Sequence, residues 1–320
     1  MTAALVPLVL LVLGAALLTA GAEAFAENVT GASARLGVSV LGLGLLLAGA
    51  EPEEAVTAML ASGQGHPALA AGDAIGANLV ILTLTLGLAA AVTRVPVGRR
   101  GLEYGVAAAV VGAVAWMFLL NGVLGRLEGL VLVLLYAGGV VWVWRREKQP
   151  PVIGEMAELE AGHTDTRDRT DQATGRALLR VLLGLLGMVV GGAFAVRGAA
   201  GLVDVLRVGE SVIGLTVLAL ATSAKMVALV WAARRRGLSE LVVAGTVGAV
   251  AYNATVTLGL SALVSPLLLG RHNVILTVAA STAALPLVVF AARWTGVLPR
   301  PVGALLVVAY VAAVGLLLAR

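Results

Sequence analysis

The chain has 320 residues, 60% of them hydrophobic and 12% charged, with a net charge of +4 and no cysteine. Soluble domains run about 45–50% apolar and about 25% charged, so a soluble enzyme, a disordered chain and a nucleic-acid-binding domain are excluded. Disulfides, thiolate metal sites and cysteine nucleophiles are excluded as well.

What fits is an all-α polytopic membrane protein, and forty glycines suit close helix packing in a bilayer. A crossing needs about 20 mostly apolar residues. Ten segments qualify: 4–20, 36–60, 68–92, 101–121, 127–144, 176–198, 209–233, 239–265, 273–293 and 301–319. In the first, Ala22-Glu23-Ala24 resembles a cleavage site. No Lys or Arg precedes Arg35, however, so the segment reads as a span rather than a leader. The second and seventh carry polar residues mid-span, which predicts broken helices. Between the fifth and sixth, 146–174 carries Glu155, Glu158, Glu160, Asp165, Asp168 and Asp171 among Pro, Gly and Thr. It reads as a solvated cytoplasmic linker between two halves, 1–145 and 175–320.

Basic residues concentrate on the cytoplasmic side of membrane proteins. With the N-terminus outside, sixteen Lys and Arg fall inside, the Arg234–Arg236 run among them, and five outside. Lys225 lies within a span. Both termini are therefore expected outside, in a multi-pass protein of a prokaryotic plasma membrane. His66, His163 and His272 are scattered and form no ligand pair.

Shifting the chain by 172 aligns 35–92 with 207–264 without a gap. Thr83, Thr85, Leu86, Gly87 and Leu88 then meet Thr255, Thr257, Leu258, Gly259 and Leu260. Five spans separate the copies, an odd number, so they cross in opposite directions. Inverted repeats mark secondary transporters, with the substrate site near the midplane at interrupted helices.

Ionisable residues inside a span suggest function. The first copy has Gly49-Ala50-Glu51-Pro52-Glu53-Glu54, then Asp73 and Asn78. The second has Thr222-Ser223-Ala224-Lys225-Met226, then Asn253. Pro52 interrupts its helix and frees carbonyls. Carboxylates and carbonyls are the ligands of hard cations. Glu51, Glu53 and Glu54 fall on different helix faces, about 100° apart per residue. Asp73 also reads as a helix-start residue near the interface.

These residues resemble the calcium/cation antiporter superfamily. Its two inverted five-helix halves each carry Gly-Thr-Ser-x-Pro-Glu and then Gly-Asn-x-x-Gly-Ser-Asn-x-x-Asn. Gly49–Glu54 and Ala221–Met226 fall on the first motif, Gly72–Asn78 on the second, and Gly248 and Asn253 on its second copy. The resemblance implies a cation site at Glu54, with Thr57, Thr222, Ser223, Asn253 and Asn78 nearby. It also implies that spans one and six slide against the remaining bundle. Departures from the pattern are Met226 for the second glutamate, Lys225 for the proline, Ala77 and Ala249 for the serines and Ile81 for an asparagine. Glu53 or Glu51 is then the candidate for the missing carboxylate. Lys225 is a candidate internal cation balancing Glu54, or a side chain reaching toward water.

The expectation is a secondary cation antiporter, with no enzymatic chemistry and no cofactor beyond transported Ca²⁺, Na⁺ or H⁺. Its partners are inorganic cations and the lipid bilayer, with no nucleic acid and no obligatory protein partner. Sodium- or proton-coupled calcium/cation exchange leads. Sodium/proton exchange at a lysine-substituted site and a non-transporting scaffold or regulator stay open.

Overall fold

The computed structural model describes residues 2–36, 51–147, 173–226 and 239–319. The first part of span two, the bulk of the linker at 148–172, the end of span seven and the Arg234–Arg236 run lie outside these residues.

The described chain is helical, with four two-residue strands. The first half holds α1 (Thr2–Leu36), α2 (Pro52–Gly63), α3 (Pro67–Leu79), α4 (Leu86–Val92), α5 (Arg99–Leu119) and α6 (Arg126–Glu147). The second holds α7 (Ala173–Leu206), α8 (Glu210–Ile213), α9 (Ala219–Thr222), α10 (Ser239–Tyr252), α11 (Leu258–Val264), α12 (Val274–Ala284) and α13 (Arg300–Leu318). Eight helical segments are long and apolar enough to cross a membrane, and they coincide with all the expected spans except the second and seventh. Those two extend beyond the described residues. The first helix is longer than expected: α1 runs through Ala22-Glu23-Ala24 without interruption.

Among the described residues, three π-helical segments interrupt the bundle: Val80–Thr85 joins α3 to α4, Gly214–Leu218 joins α8 to α9, and Asn253–Thr257 joins α10 to α11. Such wide turns loosen the regular hydrogen-bond ladder and are frequent at functional sites. Hydroxyls here are largely satisfied within their own helices. Thr83 and Thr255 donate to the carbonyls of Leu79 and Ala251, and Thr216 to Val212. Thr257 donates to Asn253 Oδ1, while the buried Thr85 hydroxyl has no partner among the described residues, so three of the four Thr-x-Thr hydroxyls are satisfied.

Glycine sets the closest helix approaches. Between α1 and α7, a Cβ on Gly191 would lie 2.6 Å from the Leu18 nitrogen, and one on Gly21 would lie 2.7 Å from the Gly184 oxygen. The two backbones are in direct contact, the packing that small residues permit in a bilayer. The outer faces of this pair expose Leu5, Val6, Val12, Leu182 and Leu186. Gly72 of α3 and Gly214 meet in the same way, and a Cβ on Gly76 would lie 2.6 Å from the Leu215 oxygen. This contact brings α3 against α9, and every residue of α3 from Leu69 to Leu79 is buried.

Short antiparallel pairs tie loops of one half to loops of the other. β1 (Val95–Pro96) pairs with β4 (Val297–Leu298), and β2 (Val123–Leu124) with β3 (Leu267–Leu268).

Candidate cation site

Two helix irregularities face each other at the centre. In the first half, α2 starts at Pro52, with Glu51 at the N-cap in a non-helical conformation. Proline suits the first helical turn because it has no N–H to leave unpaired. Glu51, Glu53 and Glu54 are all buried. In the second half, α9 ends at Thr222, and Ser223 leaves the helix before helical structure resumes at 224–226, the last described residues of this stretch. The interruption at Ser223 falls where the sequence predicts one, and α2 starts at the expected Pro52, while the preceding part of that span lies outside the described residues.

The breaks meet through hydroxyl–carboxylate contacts. Ser223 Oγ donates to Glu54 Oε1 at 2.6 Å, and Thr222 Oγ1 donates to Asp73 Oδ1 at 3.0 Å. Glu54 and Asp73 thus bind consecutive residues of the opposite half, and Asp73 lies close enough to act electrostatically on Glu54. Among the described residues, Glu54 Oε2 and Asp73 Oδ2 accept no hydrogen bond. Two buried carboxylate oxygens with open lone pairs in an apolar medium are costly unless a cation or proton compensates them. The remaining coordination would come from hydroxyls, carbonyls and water, because Ca²⁺ takes about 6–8 oxygens. Among the described residues, no group of three or more His, Cys, Asp or Glu side chains is arranged to hold a metal ion.

Asp73 is the residue that sequence reasoning underrated. It is no interfacial helix-start residue: it sits mid-helix in α3 and is fully buried. The available signal was its place beside Gly72, where the second motif carries asparagine.

The other candidates occupy distinct places around this centre. Asn78 donates through Nδ2 to the Val250 carbonyl at 3.2 Å, and its Oδ1 has no partner among the described residues. Asn253 opens its π segment and accepts from Thr257 through Oδ1 at 2.9 Å. Thr57 donates to the Glu53 carbonyl at 2.7 Å, so its hydroxyl is engaged in its own helix.

Lys225 lies within the acidic cluster, as expected of a charge-balancing residue, with Glu51 and Glu53 as its direct partners. Its ammonium contacts Glu53 Oε1 and lies 3.1 Å from Glu51 Oε2, with the lysine side chain only 7% exposed. It is shielded from water, and its charge also acts on nearby Glu54 without a direct ion pair among the described contacts. The reason is register: Ser223 already occupies Glu54, and two residues further on the backbone presents Lys225 to Glu51 and Glu53.

Met226 is fully enclosed. It is buried in an apolar cluster with Ile81, Leu82, Ala249 and Val250. Three departures from the antiporter motifs, Ile81, Met226 and Ala249, therefore occupy one place. A corner that polar residues would line is closed as hydrophobic core.

A family model described as "Sodium/calcium exchanger protein" matches residues 6–145 and 176–319. The chain belongs to the sodium/calcium exchanger protein family. Members of this family are exchangers rather than enzymes, and the chain is a multi-pass membrane protein. Inner membrane protein YrbG of Escherichia coli (strain K12) is 30% identical over 222 residues, covering 67% of this chain and 65% of that protein. CaxA of Alkalimonas amylolytica is 25% identical over 268 residues, covering 82% of this chain and 80% of that protein. The chain thus aligns with just under two thirds of YrbG's length. Among solved structures, the sodium-calcium exchanger NCX_Mj superposes with a TM-score of 0.60 at 22% identity, covering 97% of this chain and 98% of that one. This likeness establishes a shared fold.

Proposed function

We propose that the protein is a secondary cation antiporter working by alternating access, with two inverted five-helix halves, 1–145 and 175–320, joined by the linker 146–174. The observation that carries this reading is the pair of contacts from Thr222 and Ser223 to Asp73 and Glu54, which leaves one oxygen of each carboxylate open. Broken helices from two halves, meeting at buried charge, are the usual construction of a transporter site.

Several features support the repeat. Shifted by 172, β1 falls on β3, and the π segment Val80–Thr85 falls on Asn253–Thr257 to within a residue. Asn78 hydrogen-bonds Val250, its own counterpart under that shift. The family match also breaks at the linker. The glycine-packed α1–α7 pair is a natural rigid unit to slide over the bundle once a cation neutralises Glu54 and Asp73. With this topology both termini face outward.

The cargo is calcium or another cation, exchanged for sodium or protons. A second reading, sodium/proton exchange, is favoured by Lys225 and by the apolar corner around Met226. Together they remove oxygen ligands that Ca²⁺ would use. The test is reconstitution in liposomes with imposed sodium or proton gradients, following Ca²⁺, Na⁺ and pH. Gradient-driven movement of at least one cation is expected. Absence of any such movement, beside an active family member as control, would contradict antiport.

A further inference from the structure

The ion pair at the centre joins residues that are equivalent in the two copies. Glu53 and Lys225 stand 172 positions apart, as do Asn78 and Val250, and both pairs are in contact. Where a residue meets its own counterpart, an axis relating the two copies passes between them. Two glutamates at such a place would face one another and require a cation between them. Here one copy supplies glutamate and the other lysine.

We propose that Lys225 is a tethered counter-cation: its ammonium permanently fills a cation position between Glu51 and Glu53 and leaves a single exchangeable position at Glu54 and Asp73. This rests on the antiporter reading and narrows it, because the protein carries with its own chain a charge that would otherwise be a second transported ion.

The chemistry is consistent on each side. The ammonium is nearly fully buried, and both of its acidic partners are buried. Desolvating such ions costs several kcal/mol each, so the arrangement persists only while the charges stay paired. A monovalent metal ion and an ammonium carry the same charge, but the metal ion can leave and the ammonium cannot. Glu54 and Asp73 receive only hydroxyl donors from the second half, and each keeps an open oxygen. Met226 in the motif's glutamate position fits the same economy, since an apolar cluster stands where a second carboxylate would be and Lys225 supplies a fixed charge instead.

The test is sodium binding to the purified full chain in detergent. It is read as the rise in thermal unfolding midpoint when NaCl replaces choline chloride at constant ionic strength. Ligands that bind only the folded state stabilise it by RT ln(1 + c/Kd) at free concentration c, so the midpoint starts to rise once the concentration passes Kd. Lys225→Gln should uncover the Glu51–Glu53 position. The midpoint should then start to rise at a sodium concentration lower by about tenfold or more, the equivalent of about 1.4 kcal/mol. Glu53→Gln combined with Lys225→Gln removes the uncovered charge and should return the response toward that of the unaltered protein. A sodium response in Lys225→Gln equal to the unaltered protein's would overturn the proposal, and so would the same heightened response in the double variant. If Lys225→Gln alone yields no folded protein, recovery with sodium present or in the double variant supports the proposal, and recovery in neither contradicts it. Transport does not enter this measurement. A protein that moves no cation in liposomes would defeat antiport while the sodium titration still judged Lys225.

Discussion

Ser223 donates its hydroxyl to Glu54 at 2.6 Å across 169 residues of sequence. The contact joins two helix breaks. A hydroxyl can hold one carboxylate oxygen while leaving the other for a cation, and Glu54 Oε2 is indeed open among the described residues.

Glu54→Gln keeps an acceptor for Ser223 but removes the charge. A unit charge pair at about 4 Å is worth about 4 kcal/mol at an effective dielectric of about 20, or close to three orders of magnitude in affinity. Cation flux in liposomes should fall to background while the protein elutes as a folded species in size-exclusion chromatography. Retained flux would remove Glu54 from the site.

Asp73→Asn restores the residue type of the antiporter motif and can still accept from Thr222. It should weaken cation binding by about tenfold or more, for the same electrostatic reason. Titration of flux against external cation concentration checks this. An unchanged half-saturating concentration would make Asp73 a structural residue only.

Met226→Glu inserts a carboxylate among Ile81, Leu82, Ala249 and Val250. An unpaired buried charge destabilises by about 3–5 kcal/mol, so this change alone should lower the thermal unfolding midpoint. Adding Ile81→Asn and Ala249→Ser should recover part of the loss by giving it polar neighbours. Lys225→Pro added to that set should raise selectivity for Ca²⁺ over Na⁺. Ca²⁺ and Na⁺ competition in the flux assay reads the last step.

Gly191→Val forces a side chain against the Leu18 backbone, where a Cβ alone would stand 2.6 Å from the nitrogen. Overpacking of this kind costs about 1–3 kcal/mol or more, and the neighbour here is backbone, which cannot rotate aside. Lower thermal stability and slower exchange are expected together. If both are unchanged, α1 and α7 need not stay packed during transport.

Much of the arrangement was legible in the residues, because bilayer burial leaves periodicity little freedom. Eight of the ten expected spans coincide with helices long enough to cross. The Pro52 break and the Thr222–Ser223 break were visible as polar residues inside apolar runs. Pairing was not legible. Glu51, Glu53 and Glu54 look alike in sequence, and only the phase of α2 against α9 assigns Glu54 to Ser223 and the other two to Lys225. Asp73 falls near the start of the expected span 68–92 and so reads in sequence as an interfacial residue, whereas its burial follows from Gly72 and Gly76 drawing α3 onto α9. Met226 was read as a gap in a ligand set. Its apolar neighbours come from two other helices, Ile81 and Leu82 from the π segment after α3 and Ala249 and Val250 from α10, a convergence that no spacing rule anticipates.

The central claim is that cations cross this protein in exchange for one another. Liposomes bearing the purified protein, loaded with sodium or with impermeant choline, should be presented with radioactive sodium or calcium outside. The account predicts uptake of label that is rapid when an exchangeable cation is inside, near background with choline, and absent in Glu54→Gln. Uptake that is equal with and without an internal cation, or unaffected by Glu54→Gln, would contradict it.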